Sequence, residues 1–250
     1  MLTFFGGILH SIKRCIPLHF IHSMQKDSLA THIHQLKKQL RLAMNGVASS
    51  DMRNKGLDYK LNFGIAIPQL KKIAEQFPKD NDLADYCWKS SSREMKILSA
   101  LLQPVDYFTR EMAEERVNNM PTVEIIQLYC MYLFQFLPFA EEKAVDWLQK
   151  DDTFVRISGY LLLNRLFSKR QLVEKKTVEL LLDSIKNDIH SCTFGLKKAA
   201  ADCLKSFGRM DIYMEAALSM ILPLKHSVIP QEKELYDDIR FDWNFHTGNF

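Results

Sequence analysis

The feature of this sequence that most constrains its fold is a helical segment that recurs four times. Each copy opens with a hydroxyl residue suited to an N-cap and continues into an apolar stretch with small residues about two turns further on. The opening residues are Ser92, Thr122, Thr153 and Thr193, spaced 30, 31 and 40 residues apart. Such spacing is typical of helix-pair repeats. The sequence therefore predicts an all-α fold, a right-handed α-solenoid of HEAT-like or armadillo-type helix pairs.

Partner helices are expected between these segments, because each intervening stretch is amphipathic. They are predicted at 106–118, 139–150 and 169–187, with a last helix at 212–222. Ahead of the repeats, a first helix is expected from Asp27 or Ser28 to Asn45-Gly46, followed by a polar connection over 49–67. Pro68 then suits the first turn of a helix, and a short helix is expected over 83–88.

Composition narrows the classes of function. The hydrophobic content of 47% suits a folded chain, while a net charge of +3 identifies no partner by itself. Few glycines and prolines disfavour sandwiches, barrels and nucleotide-binding loops. The odd number of widely spaced cysteines predicts buried thiols in a reducing cytoplasm, and no metal or cofactor is expected. These cysteines are Cys15, Cys87, Cys130, Cys192 and Cys203.

The two ends of the chain differ from the repeats. In residues 1–23, Lys13 and Arg14 interrupt the apolar stretches, so neither a signal peptide nor a membrane helix is predicted. We interpret 1–23 as a segment outside the domain, with a translation start assigned too early and the true start at Met24. The repeat domain is expected over 24–226. Residues 227–250 form an acidic, aromatic tail, which is either a packed flap or a flexible terminus.

Local clusters of cations are the main indication of a nucleic-acid partner. Lys198, Lys205 and Arg209 share one helical face, and Arg156 is predicted to point into a groove or to reach the helix edge. Cations along the inner helices of a solenoid suit phosphates, although a solvated surface would look the same in sequence. The predicted DNA-binding residues are Arg53, Lys55, Lys60, Arg156, Lys197, Lys198, Lys205 and Arg209.

Two polar residues near the start of the second repeat helix are candidates for chemistry. Glu124 is placed to complement the positive end of the helix dipole. Gln127 lies among apolar residues and would need hydrogen-bond partners if it were buried. No serine-hydrolase, zinc-protease or phosphate-loop motif is present in the sequence.

The sequence resembles the AlkD-like DNA alkylation-repair proteins from about Leu29 to Leu222. The resemblance is carried by Met52–Gly56, Phe63–Pro68, Trp88, Arg93-Glu94 and Phe154–Arg156. It implies a HEAT-like repeat fold that holds duplex DNA in a concave face. In active members it implies release of N3- or N7-alkylated purines by glycosidic cleavage, and Arg156 matches a family arginine.

The chain departs from the active members at their catalytic positions. Those members carry a tryptophan followed four residues later by the catalytic aspartate, where this chain has Val123 and Gln127. A second family tryptophan falls near Asp202. A neutral amide supplies no negative charge beside a sugar cation, so Glu124 is the substitute candidate.

The resemblance leads us to expect a monomer that binds duplex DNA, alkylated or branched. It is expected to act either as a divergent glycosylase or as a binder that excises nothing. The alternative is a protein-binding scaffold without enzymatic activity, since helical solenoids often have that role and the net charge is near zero.

Overall fold

The computed structural model describes residues 18–57 and 59–248, with side chains described from residue 28 onwards. This part of the chain forms thirteen α-helices. It divides into two compact units, one ending at Gln103 and the other beginning at Pro104. The all-α, helix-pair fold predicted from the repeated segments is confirmed.

The first unit contains five helices: α1 (Leu18–Leu42), α2 (Gly46–Asn54), α3 (Ile67–Ala74), α4 (Asn81–Lys89) and α5 (Arg93–Leu102). Helices α4 and α5 pack as a pair, with α3 against α5 and α1 against α4. Their apolar faces are fully buried at Leu36, Leu70, Leu83 and Leu98. Pro68 lies in the first turn of α3, as predicted.

A buried ion pair at the start of α5 holds the chain segment that precedes α3. Glu94 and Arg93 are 0% and 2% exposed, and the Arg93 Nη1 atom lies 3.2 Å from Glu94 Oε1. The Glu94 carboxylate accepts hydrogen bonds from Phe63 N at 3.0 Å, Ile65 N at 3.4 Å and Ser92 Oγ at 3.2 Å. Arg93 Nη1 also donates to Ile65 O at 3.1 Å. The two side chains together fix the backbone on both sides of residue 64.

Gly64 lets this backbone lie directly against the start of α2. Its φ is +69°, and a Cβ atom there would lie 2.1 Å from Asn45 O. The neighbouring Asn45 N donates to Phe63 O at 2.8 Å. Only glycine tolerates both this φ and this approach, which explains Phe63-Gly64 in physical terms.

The second unit contains eight helices: α6 (Arg110–Asn118), α7 (Val123–Tyr132), α8 (Ala140–Leu148), α9 (Thr153–Ser168), α10 (Lys175–Asp188), α11 (Phe194–Gly208), α12 (Asp211–Lys225) and α13 (Pro230–Thr247). Helix α9 packs between α7 and α11, and α11 packs in turn against α13. We call α7, α9, α11 and α13 the front layer. Helix α8 lies behind α9, and both α10 and α12 pack against α11.

Small residues allow these helices to approach closely, as the sequence predicted for Gly159. A Cβ atom on Gly159 would lie 2.7 Å from Ala144 O, so the backbone of α9 rests on α8. A Cβ atom on Gly208 would lie 2.4 Å from the Trp243 ring, where α11 meets α13. Neither position has room for a larger side chain.

The predicted N-caps are partly correct. Thr122 accepts a hydrogen bond from Ile125 N at 3.4 Å, as expected. The cap of α9 is Asp152 rather than Thr153, since the Asp152 carboxylate accepts from Val155 N at 3.0 Å. Ser92 and Thr193 occupy the N-cap positions of α5 and α11 without a capping hydrogen bond. Ser92 Oγ instead donates to Glu94 Oε2 at 3.2 Å, which directs the hydroxyl towards the buried carboxylate.

Several predicted boundaries were wrong. The polar connection over 49–67 contains most of α2, and Asn45 begins that helix by accepting from Ala48 N at 3.0 Å. Helix α1 begins at Leu18, before Asp27. Helix α10 begins at Lys175 rather than Lys169, because Arg170 has a φ of +59°, which no helix residue adopts. Residues 105–107 form a separate 3-10 turn before α6.

The acidic tail is a packed helix, the first of the two expected alternatives. Ile239 and Trp243 of α13 are 0% and 1% exposed, and Trp243 Nε1 donates to Lys205 O at 2.9 Å. Most of the expected N-terminal segment, including Cys15, lies outside the described residues. None of the described helices combines the length and hydropathy that crossing a membrane requires.

The cysteines in the described ranges are all free thiols, and three of them are buried. Burial raises the pKa of Cys87 to about 12, and it raises the pKa values of Cys130 and Cys203 further. Cys192 is exposed, so the prediction of uniform burial was wrong at that position. Over the described ranges, no cluster of three or more His, Cys, Asp or Glu side chains is arranged to hold a metal ion.

We expect Glu94→Gln to destabilise the first unit. The substitution removes the Glu94 negative charge from the buried Arg93 guanidinium, and breaking a buried ion pair costs about 3–5 kcal/mol. Amide hydrogen exchange at Phe63 and Ile65 should accelerate strongly. The matched control is Glu75→Gln at an exposed site, which should leave both rates unchanged. Unchanged protection in Glu94→Gln would contradict the role given to this carboxylate.

We expect Gly208→Ala to destabilise the second unit. The added methyl group would overlap the Trp243 ring, and overpacking of this kind costs about 1–3 kcal/mol. Urea denaturation followed by tryptophan fluorescence should show a lower midpoint. Gly46→Ala is the control, because a Cβ atom there meets nothing within 4 Å and should not lower the midpoint.

Candidate nucleic-acid interface

The first unit presents three predicted DNA-binding cations around the turn after α2. We call Arg53, Lys55 and Lys60 the basic segment; all three are exposed. Lys55 pairs with Asp51 at 2.8 Å, an exposed i,i+4 pair of small energetic value. Within the described residues, the side chains of Arg53 and Lys60 make no hydrogen bond or ion pair. Their charges are therefore available to an anionic partner.

A small pocket opens beside the same backbone. It has a volume of about 220 Å³ and is lined by Lys37, Leu40, Arg41, Leu61, Phe63, Ser92 and Met95. Lys37 lies 5.2 Å from the centre of the Tyr86 ring. The pocket therefore combines two cations with apolar walls. It is formed by the backbone that the Glu94 carboxylate holds in place.

In the second unit, three of the predicted cations on α11 are already paired. Lys205 Nζ lies 2.6 Å from Asp238 Oδ2, and Arg209 Nε lies 2.9 Å from Asp242 Oδ2. Lys198 pairs with Asp202 at 3.1 Å. The first two pairs join α11 to α13, so the acidic tail compensates much of the charge that the sequence assigned to DNA.

Lys197, the fourth predicted cation on α11, also lies near an acidic group of α13. The pKa of Glu232 is lowered, first by a hydrogen bond from Ser227 and then by His190, with a smaller contribution from the Lys197 charge. His190 Nδ1 lies 2.6 Å from Glu232 Oε1. Helix α13 therefore places acidic groups along much of α11.

Arg156, which matches the family arginine, is held by α10. Its Nη2 atom donates to both oxygens of Asp188 at 2.5 Å, and Tyr160 Oη donates to Asp188 at 2.7 Å. Burial, together with the hydrogen bond to Asp188, raises the pKa of Tyr160. The Arg156 side chain remains 25% exposed. Its charge is thus compensated from one side and open to solvent on another.

The two candidate catalytic residues lie on the accessible side of α7. Gln127 is exposed, so its amide needs no partner inside the protein, and Glu124 is half-buried in the first turn. Glu124 is the only carboxylate in α7. Its place at the helix N-terminus agrees with the expected interaction with the helix dipole.

All three tryptophans of the chain are buried. Trp88 and Trp147 are 3% and 0% exposed, as expected for core residues, and Trp243 is 1% exposed. Trp147 Nε1 donates to Glu114 at 3.0 Å. A cationic base is attracted to an open aromatic face, and no indole in this chain offers one.

Sequence reasoning missed four accessible side chains of the front layer. Phe154 and Phe194 are 44% and 78% exposed at the starts of α9 and α11. Arg165 is half-buried and Lys169 is exposed at the end of α9. The sequence contained a signal for them, because the 40-residue spacing of the caps aligns Phe154, Arg165 and Lys169 with Phe194, Lys205 and Arg209.

A larger groove between α8 and α10 has the opposite character. Its volume is about 760 Å³, and its lining includes Glu141, Glu142, Asp146 and Glu174 but a single cation, Lys176. Carboxylates repel phosphates at this range. We therefore treat the basic segment of the first unit and the front layer of the second unit as two separate candidate interfaces.

Two solved structures resemble this chain, and the first of them agrees with this fold. A solved structure described as a new family of proteins related to the HEAT-like repeat DNA glycosylases with affinity for branched DNA structures matches with a TM-score of 0.73. It is 12% identical, and the match covers 86% of this chain and 94% of that one. A designed armadillo repeat protein in complex with the peptide (KR)4 is also 12% identical over 84% of this chain and 91% of its own, with a TM-score of 0.37.

The family assignment comes from the sequence match. No curated protein matched the chain. The family model described as DNA alkylation repair enzyme matches residues 36–215, which is well over half of the sequence. It includes Phe63-Gly64, Arg93-Glu94 and Arg156, on which the resemblance was based. This protein therefore belongs to the DNA alkylation repair family and has its HEAT-like repeat fold.

Proposed function

We propose that this protein binds duplex DNA, including branched forms, and does not release alkylated bases by the reaction of the active family members. The single observation that carries the proposal is the exposed Gln127 on α7, at the position of the family's catalytic aspartate. The exposed cations support the binding function. The altered position 127 argues against excision.

Support for DNA binding comes from the family and from charge. Arg53 and Lys60 are exposed cations without partners among the described residues, and the turn that carries Lys60 continues into backbone held by Glu94. Cations on an ordered backbone lose little entropy when they bind phosphates. A relative of the same fold has affinity for branched DNA, which makes junctions the first substrate to test.

The argument against excision rests on electrostatics. Glycosidic cleavage develops positive charge on the sugar, and a nearby carboxylate stabilises it. A glutamine amide carries no such charge. The buried tryptophans also leave no exposed indole face for a cationic purine. Glu124 remains the one acidic side chain of α7 that a residual reaction would use.

We also propose that the protein acts as a monomer in a reducing compartment such as the cytoplasm. The buried thiols support the reducing compartment. Their pKa values are raised by burial, so at neutral pH they stay protonated and unreactive.

Binding should depend steeply on salt. We expect the logarithm of the affinity, measured by fluorescence anisotropy, to fall by several units between about 50 and 200 mM salt. The reason is that each phosphate contact releases counterions, so the affinity falls linearly on a plot of log affinity against log salt. A four-way junction and a linear duplex of equal length should be compared. The double variant Arg53→Gln/Lys60→Gln should reduce the slope by roughly two. A flat plot for the unmodified protein would rule out phosphate binding.

Base release should be absent. With a duplex containing 7-methylguanine and an excess of protein, we expect release no faster than spontaneous depurination. Glu124→Gln should not change that rate. Release well above the spontaneous rate, abolished by Glu124→Gln, would instead show a divergent glycosylase that uses this carboxylate.

A further inference from the structure

The front layer repeats one pattern of aromatic and cationic side chains on two successive helices. Within each helix the aromatic residue and the first cation are eleven residues apart, close to three turns, so they lie on the same side. The 40-residue repeat between α9 and α11 aligns the pairs Phe154 and Phe194, Arg165 and Lys205, and Lys169 and Arg209.

On α11, the two cations of this pattern are already paired with carboxylates. Asp238 and Asp242 of α13 contact Lys205 and Arg209 at 2.6 Å and 2.9 Å. Helix α13 is held there by the buried side chains of Ile239 and Trp243. The cations of α11 therefore act as an anion site whose occupant is part of the same chain.

On α9, no carboxylate of the described residues pairs with the equivalent cations. The Arg165 side chain makes no hydrogen bond or ion pair within the described part of the chain, and its Nε atom is sealed from solvent without an acceptor. The Arg165 charge lies near Cys130 of α7. Burial raises the pKa of that thiol, and the positive charge of Arg165 partly opposes the increase. Lys169 Nζ lies 4.1 Å from the centre of the Phe136 ring, which is half exposed.

We propose that Arg165 and Lys169 of α9 form a phosphate-binding site for the DNA backbone, and that α13 occupies the equivalent site on α11. The inference rests on the proposed DNA-binding function. It also changes which cations are assigned to DNA binding. The sequence predicted Lys205 and Arg209, but both are paired with carboxylates of α13.

The chemistry of the α9 site fits a phosphodiester. The two cations are four residues apart, so they lie one turn apart on one face of the helix and can contact neighbouring phosphate oxygens. A guanidinium presents several donors in a fixed geometry that suits phosphate. Phe136 and Phe154 add exposed rings on which a sugar or an unpaired base can pack.

The test uses the full-length protein and a fluorescent four-way junction. Arg165→Gln/Lys169→Gln should lower the salt slope by about two and weaken binding near 0.1 M salt by roughly ten- to a hundredfold. Arg165→Lys should retain most of the affinity, since it keeps the charge. Lys175→Gln on α10 is the matched control, because that lysine is exposed and its loss should change nothing.

A second variant tests the role of α13. Asp238→Asn/Asp242→Asn removes the carboxylates while Ile239 and Trp243 keep the helix in place. Freed from their partners, Lys205 and Arg209 should then contact phosphate, so affinity and salt slope should both increase. Unchanged affinity would overturn the assignment of α13 as an internal occupant.

The outcomes separate this inference from the proposed function. If the unmodified protein shows no salt-dependent binding, DNA binding itself fails. If it binds and Arg165→Gln/Lys169→Gln keeps the same affinity and slope, only the α9 site is wrong. Equal competition by polyglutamate and by duplex DNA of the same charge would also contradict a site built for phosphate.

Discussion

The first unit depends on one buried carboxylate. Taking the Glu94 and Arg93 charges out of water costs several kcal/mol each, and the cost is offset only because they pair and hydrogen bond to the backbone around Gly64. Loss of either partner would break this buried ion pair, which is strongly destabilising. The same contacts hold this backbone against α2, next to the basic segment. The family motif in this unit is therefore primarily structural, and any function of the basic segment depends on it.

The second unit depends on close helix packing. Its last helix, α13, also determines which cations of the unit are paired with carboxylates. Gly159 and Gly208 let helices approach to distances that a side chain would prevent. At Gly208 the occupant is Trp243, which fixes α13 beside α11 and brings Asp238 and Asp242 to Lys205 and Arg209. One packing contact thus decides which cations of the front layer are compensated and which remain available on α9.

Much of the fold could be predicted, because helix periodicity and N-cap chemistry are local. Thr122 and Pro68 are at the starts of helices as predicted, and the small residue at Gly159 lies at a close helix contact. The errors arose where a distant residue decided the outcome. Asn45 begins α2 while its N–H donates to Phe63 O, and Ser92 donates to the Glu94 carboxylate, which also accepts from Phe63 N and Ile65 N. Such choices depend on groups that are remote in sequence.

The amino-acid sequence alone determined the all-helical repeat and the family, and it predicted Gln127 at the position where active members carry their catalytic aspartate, since these are properties of residue identity and spacing. Only the tertiary structure decided which charges are free. The sequence places Lys205 and Arg165 in equivalent positions, but Lys205 has a carboxylate from α13 and Arg165 has none in the described chain. Ion pairing depends on distances of a few ångströms between segments far apart in sequence, and spacing along the chain does not encode them.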